Sequence, residues 1–598
     1  MNDAADITPP GELTPICDPV TLEILRGAIA AAQAEMEALL ERTAISAFIR
    51  EKKDFYTALF DAEGRLAVGS NVPIFGDVAS PVLEAFPAPT MRPGDLYWFN
   101  DCYGSRGAVS HSNDQVFLAP VFHAGALCAF VMGWAHFADV GGLRPGSISP
   151  DSTDIFHEGI IVPPTRLVAA GLVNEAALNI FHRNSRYPAQ SRGDTSALMA
   201  SVALGVRRME EIAARFGPDV LADALARLLA RTTALVRRRL RETFPRGTHR
   251  FTDRIDTDGH GNGPFRIRFA LTRTEDDRFI LDATATDDQS PGPVNFLMNA
   301  HVPGTALGLF FLGGDPAQVC NAGGAQALDE VILREGSLLQ PRFPAPLGMR
   351  GLTMMRVLAA LNGLVNVAGG AAPAAQSAYV ILLLRGTAAG EGFLMSDGLG
   401  VGYGARPSAD GIDAVYFVAQ ENYPVEFLEL GYPVRLRRYA VHRDSGGPGR
   451  QRGGCGVVRE YEVLAEHAVL AMRIDGVENP PWGTAGGMGG GSGRAVVNPG
   501  RPDERRLAPL SDGNVLRRGD ILLVETGGGG GHGHPFDRPA EAVLGDVLDG
   551  FVSPEAAARQ YGVAIAGGQV DAAATRGLRA VRPAAKAFHR RDYVDVLD

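Results

Sequence analysis

Glycine crowds the stretch from residue 446 to 533, above all at 483–493 and 527–531, in a chain of 598 residues with 73 glycines. Glycine adopts backbone conformations closed to other residues and lets two segments touch. Such a stretch therefore reads as tight turns in a β-rich region, or as close-packed backbone around a site. The N-terminal half is patterned differently. Asp18-Pro19-Val20 has the form of a helix start, with Asp18 as cap and Pro19 in the first turn. Leu22, Leu25, Ile29, Ala32, Met36 and Leu39 then recur at helical spacing up to residue 43. A second helical block covers about 195–241, as 196–216 and 220–240 with Gly217-Pro218 as the break. Between the helices lie strand patterns. Residues 55–67 read as a hairpin turning at Gly64, and 96–99, 115–122 and 126–134 are apolar runs of strand length. Strand patterning returns after Gly247, at 265–272 and 278–285.

The expected fold class is α+β and multidomain, because 598 residues exceed one ordinary core. An N-terminal α/β domain with a metal site would cover 18–246, and a mixed α/β domain 247–440. A glycine-rich β domain would cover 441–575, with a docking helix within 540–563. Residues 1–17 read as disordered or extended, and 576–598 as a basic, peripheral tail. A hydrophobic content of 45% with 21% charged residues is that of a globular protein. The net charge of −11 disfavours nonspecific binding to nucleic acid or anionic membranes, which need a basic face. Five scattered cysteines without a C-x-x-C pair point away from a disulfide framework and toward a reducing compartment. The first eleven residues lack the charged start and apolar run of a signal peptide. The uncharged stretch 357–384 is interrupted by Asn362, Asn366, Pro373 and Gln376, so it reads as core strand or helix rather than a membrane span. The expected location is the cytoplasm.

Two His-x-x-Asp pairs carry the chemistry: His111-Ser-Asn-Asp114 and, 25 positions on, His136-Phe-Ala-Asp139. Neutral imidazole and carboxylate are ligands for borderline divalent metals, and the apolar run between the pairs could bring them together. A single histidine near a turn more often bonds locally; two such pairs flanking one strand favour a ligand set. Asp54, just before a strand, adds to it, while Asp139 could instead orient an imidazole from behind. The run Glu525-Thr-Gly-Gly-Gly-Gly-Gly-His532-Gly-His534 lacks the Lys-Ser/Thr of a phosphate loop. It reads as a backbone nest or a structural crossover, with His532 and His534 as loop histidines. Arg450 and Arg452, on another glycine loop, suit anions but fit a turn between strands better. The arginines at 227, 231, 237, 238 and 239 form a solvated or partner-facing surface. No Gly-x-Ser-x-Gly elbow occurs, and nothing beside Cys102 or Cys455 marks an activated thiol.

These motifs resemble, in order and spacing, the hydantoinase B/oxoprolinase family. The resemblance runs through Asp18-Pro-Val-Thr-Leu-Glu-Ile, Asp54-Phe, Phe60-Asp-Ala-Glu-Gly, Asn100-Asp and His111-x-x-Asp114. It continues through Ala135-His136-x-x-Asp139-Val-Gly-Gly, Glu158-Gly, Asn184-x-Arg186, Gly193-Asp194, Pro424-Val-Glu426-x-x-Glu429, Asp444-Ser-Gly-Gly, Arg452-Gly-Gly and the 527–531 run. It implies a B-type subunit of an ATP-dependent hydrolase of hydantoin, oxoproline or lactam-like cyclic amides. An A-type ATPase partner would bind ATP and phosphorylate the substrate, and this chain would complete the reaction in a hetero-oligomer. Asp54, His111, Asp114 and His136 would bind the divalent metal, zinc or manganese, with Asp139 behind them; Asp139 or His157 could serve as base. Ketone carboxylation and a noncatalytic assembly role are the alternatives. Two departures stand out. Ile74-Phe75-Gly76 replaces a usual His-Leu-Gly, and Ser110-His-Ser-Asn-Asp114 a usual Thr-His-Leu-Pro-Asp.

Overall fold

A computed structural model describes residues 16–69, 76–312, 321–416 and 420–590. Most of the segment 1–17, together with Ile74-Phe75, Cys320 and residues 591–598, lies outside them. The α+β, multidomain architecture is as expected. Helix α1, Pro19–Thr43, starts where the sequence places it, with the Asp18 side chain accepting from the Val20 and Thr21 amides. A sheet of seven antiparallel strands follows. Its strands are β1 (Phe55–Asp61), β2 (Leu66–Gly69), β3 (Leu96–Phe99), β4 (Asp114–His123), β5 (Ala126–His136), β6 (Thr165–Ala169) and β7 (Leu172–Val173), in the order β2-β1-β5-β4-β3-β6-β7. The β1–β2 hairpin turns at Gly64, whose φ of +79° is open to glycine.

Side chains alternate across the sheet, and both faces are covered. Leu59, Phe117, Val131 and Ala135 face α1 and helix α2, Pro188–Phe216, joining a core with Leu25, Ile29, Met36, Leu198 and Val202. Tyr56, Val116, Met132 and Trp134 face the other way, into the largest core. That double burial explains why 115–122 and 126–134 read as unbroken apolar runs. Helix α3, Pro218–Thr243, follows α2 after Gly217. Its arginines mostly meet carboxylates of this chain: Arg231 lies 3.1 Å from Glu23, and Arg237 3.0 Å from Asp329.

The uncharged stretch 357–384 divides into the end of helix α4, Arg350–Val367, and the start of a strand, Val380–Ala388. Helix α4 is buried over nearly its whole length against the second face of the seven-stranded sheet and against a four-stranded sheet built from 247–255, 265–273, 279–282 and 330–332. No described helix is long and apolar enough to cross a membrane. Two further sheets, of four and five strands, enclose a core of Leu382, Met395, Tyr461, Leu470, Val497 and Leu522.

The glycine run 527–531 is a crossover. An added Cβ at Gly528, Gly529, Gly530 or Gly531 would strike the backbone of Ser445, Tyr403, Trp482 or Pro448. The amides of Gly528 to Gly531 all donate to carbonyls of this chain, those of Gly491, Gly454, Ala375 and Met488. The expected docking helix is two short ones, Ala540–Leu548 and Pro554–Tyr561. Arg538 anchors them, 2.9 Å from Asp546 and 2.8 Å from Asp410. The basic tail does not stay peripheral: Phe588 packs on Trp482 and Phe251, and Arg590 pairs with buried Asp253 at 2.6 Å.

Candidate metal centre

The sheet register builds the centre. Asp114 opens β4 and pairs across the ladder with His136, the last residue of β5. On the other side of β5, Phe55 of β1 pairs with Ala135, and the His136 amide donates to the Asp54 carbonyl at 3.1 Å. Positions 54, 114 and 136 thus lie at one end of three central strands. By the period-two alternation they share the face of Tyr56, Val116 and Trp134, toward α4. His111 joins from the turn before β4, where its carbonyl accepts from the Asp114 amide.

Three donor atoms converge there. His111 Nε2 is 2.6 Å from Asp114 Oδ1 and 3.2 Å from His136 Nδ1, and His136 Nδ1 is 3.4 Å from Asp114 Oδ1. Ligand atoms about 2.0–2.2 Å from one ion are separated by about 3.0–3.5 Å in octahedral or tetrahedral arrangements; the two separations to His136 Nδ1 fall in that range, and the His111–Asp114 separation is shorter, at hydrogen-bond distance. All three side chains are buried, and Asp114 Oδ2 has no hydrogen-bond donor. Burial, with the nearby Arg350 guanidinium, brings His111 down to about 3, so its imidazole is neutral at physiological pH. Burial works to raise Asp114, but the two histidines and Arg350 outweigh it and hold the carboxylate well below its usual range. A neutral His111 imidazole and an ionised Asp114 carboxylate are forms in which these groups bind a divalent ion.

The donors open into a cavity of about 50 Å³, lined also by Asp54, Trp134, Met354, Tyr379, Tyr416 and Gln420. Phe48, another lining residue, stacks on the His136 ring at 4.7 Å. Asp54 is half-buried at the edge of the donor group, its carboxyl raised by burial. Arg350, the first residue of α4, reaches 3.8 Å from Asp114 Oδ2 and donates to the Ser110 hydroxyl at 3.0 Å. Arg473, at the end of the strand His467–Arg473, also lines the cavity. None of Arg350, Tyr379, Tyr416 or Arg473 was singled out from sequence. The available signal was a charge set in apolar surroundings, as in Ala468-Val-Leu-Ala-Met-Arg473.

Other sequence candidates lie elsewhere. Asp139 accepts from the Gly141, Gly146 and Arg186 amides at 2.9–3.2 Å and from the Arg186 guanidinium at 2.9 Å. It staples the loop after β5 and contacts neither imidazole. His157 is partly exposed, beside Thr153 and Asp154, and does not line the cavity. Its neighbour Glu158 is buried instead, accepting from the Leu347 and Gly348 amides. The His534 side chain caps a short turn, and Arg452 pairs with Asp413 at 2.9 Å.

The family model for Hydantoinase B/oxoprolinase matches residues 18–535, most of the chain and every residue of the centre. The chain belongs to the hydantoinase B/oxoprolinase family. It is 29% identical to the caprolactamase subunit beta of Pseudomonas jessenii, over 94% of this chain and 99% of that one. A crystal structure of the ATP-dependent caprolactamase from Pseudomonas jessenii superposes with a TM-score of 0.83 at 26% identity, covering 95% of this chain and 100% of its own. The nucleotide-free acetone carboxylase shares the fold, with a TM-score of 0.82 at 20% identity over 94% of this chain and 82% of that one.

Proposed function

We propose that this chain is the B-type subunit of an ATP-dependent amidohydrolase. It completes hydrolysis of a cyclic amide of the hydantoin, oxoproline or lactam class, after an A-type ATPase partner has phosphorylated the amide oxygen. The observation that carries this reading is the buried His111, Asp114 and His136 triangle at the cavity, in a chain related to an ATP-dependent caprolactamase. A ring amide is a poor electrophile, and a phosphoryl group on its oxygen gives the carbonyl carbon a leaving group. A divalent ion, zinc or manganese by its donor set, supplies Lewis acidity and lowers the pKa of bound water when present.

This chain's residues hold and orient. His111, Asp114 and His136 are three ligands, and Asp54 is the proposed fourth. Phe48, Trp134, Ile148 and Met354 wall the cavity with apolar surface, which keeps bulk water out and strengthens every charge interaction inside. ATP belongs to the partner in this reading, since the glycine run spends its amides on packing against its own chain. The complex is a cytoplasmic hetero-oligomer.

The test is ATP-dependent ring opening of caprolactam, 5-oxoproline and hydantoin by the full chain together with its A-type partner. Matched yields of ADP and open-chain acid, independent of bicarbonate, are the expected result. Turnover only with a ketone and bicarbonate would assign carboxylation instead. No turnover by the metal-loaded complex with any of these substrates would contradict both.

A further inference from the structure

Among the described residues, buried arginines have carboxylate partners, with one exception. Arg356 meets Asp475 at 2.7 Å, Arg452 meets Asp413 at 2.9 Å, Arg459 meets Asp397 at 2.6 Å and Arg590 meets Asp253 at 2.6 Å. Arg473 is 2% exposed, and among the described residues no carboxylate lies within ion-pair distance of it. Its Nε and Nη2 are buried without a hydrogen-bond partner. A guanidinium in that condition is destabilising, because its lost hydration is not replaced. Burial and the nearby Arg350 both work against its charge, while Tyr379 and Tyr416 favour it. Such costs persist where a ligand completes the set.

The missing partner has a place. Arg473 lines the same cavity as the His111, Asp114 and His136 triangle, and so does Arg350, 3.8 Å from Asp114 Oδ2. The lining carries these two guanidiniums alongside the carboxyl groups of Asp54 and Asp114. A volume of about 50 Å³ accommodates roughly four water-sized groups, which suits a compact oxyanion.

We propose that Arg473, assisted by Arg350, is the oxyanion receptor of this cavity, binding the phosphoryl or carboxylate oxygens of the molecule held beside the metal ligands. The planar fork of Arg473 offers paired N–H donors to either group. The inference rests on the reading that the cavity receives a small molecule, and it names that molecule's charged end.

The experiment uses the full chain, with inorganic phosphate and acetate as separate probes in titration calorimetry. Wild type is compared with Arg473→Gln and Arg473→Lys, and metal content is measured in every sample. Saturable binding to wild type is expected, weakened at least tenfold in Arg473→Gln, partly restored in Arg473→Lys, and with metal content unchanged. Preference for phosphate assigns the receptor to a phosphoryl group, and preference for acetate to a carboxylate. Equal binding of both probes to wild type and Arg473→Gln would overturn the inference, as would no saturable binding to wild type. Arg473-dependent binding in protein that holds no metal would sink the metal reading and leave this one standing. Because Arg473→Gln removes an unpaired buried cation, its thermal midpoint should not fall below that of wild type, which guards against misfolding as the cause.

Discussion

Lys52 offers the sharpest test of how charge is held beside the centre. Its ammonium is 3.3 Å from Asp397 Oδ1, donates to the Gly398 carbonyl at 3.0 Å, and lies over the rings of Tyr423 and Tyr416 at 4.1 and 4.5 Å. The other Asp397 oxygen is taken by Arg459 and the Tyr461 hydroxyl, each at 2.6 Å. Burial outweighs the Asp397 attraction and brings the Lys52 ammonium down to about 8, from 10.5. Between those two values the unfolded chain keeps a proton that the folded chain has released. Stability therefore rises with pH across that window, by about 1.4 kcal/mol per unit, and Lys52 adds no slope below it. From pH 8 to 9.5 wild type should gain about 2 kcal/mol relative to Lys52→Met. Urea unfolding followed by tryptophan fluorescence at several pH values measures the difference. Parallel stability curves for the two proteins across that interval would refute the reasoning.

Glu158 carries the opposite sign. Burial raises its carboxyl to about 8, so it is a neutral acid at pH 7, and wild-type stability should fall as pH rises from about 4.5 to 8. Glu158→Gln should fold normally and lose that slope, about 1.4 kcal/mol per unit, in the same urea assay. In Gly351→Ala the new methyl would collide with the Tyr379 hydroxyl on the cavity wall. Displacing that ring should lower turnover of the reconstituted complex at least tenfold, and an unchanged rate would contradict the packing. Asp139→Asn should weaken the ion pair with half-exposed Arg186 and destabilise the chain by about 2 kcal/mol. Its metal content, read by elemental analysis, should stay at the wild-type level, because Asp139 contacts no ligand.

What the sequence disclosed follows from periodicity. The α1 stripe, the Gly64 hairpin and the two long apolar strands each obey a local rule, and their register alone brings Asp114 and His136 together. The two His-x-x-Asp pairs look alike in sequence but differ in the fold. His111 and Asp114 share a turn and meet, whereas Asp139 lies beyond the end of β5, where the chain leaves the sheet and Arg186 takes its carboxylate. His157 lies outside the cavity lining, and the buried, tightly held group is its neighbour Glu158. Four lining residues had no local signature. Arg350, Tyr379, Tyr416 and Arg473 come from 350–473 and reach the site only through the packing of α4 and of the sheet that pairs Val380–Ala388 with His467–Arg473, which no spacing within one segment encodes. The tail read as peripheral because it is basic, but Arg590 finds its carboxylate on Asp253, more than 300 positions earlier.

His111, Asp114 and His136 are proposed to hold a divalent ion. The most direct measurement is the metal content, by inductively coupled plasma mass spectrometry, of the full chain and of His111→Ala, Asp114→Ala and His136→Ala after identical purification and dialysis. About one zinc or manganese ion per wild-type chain is expected, with near-complete loss in all three variants and their folds intact. Metal content unchanged in any of them would contradict it.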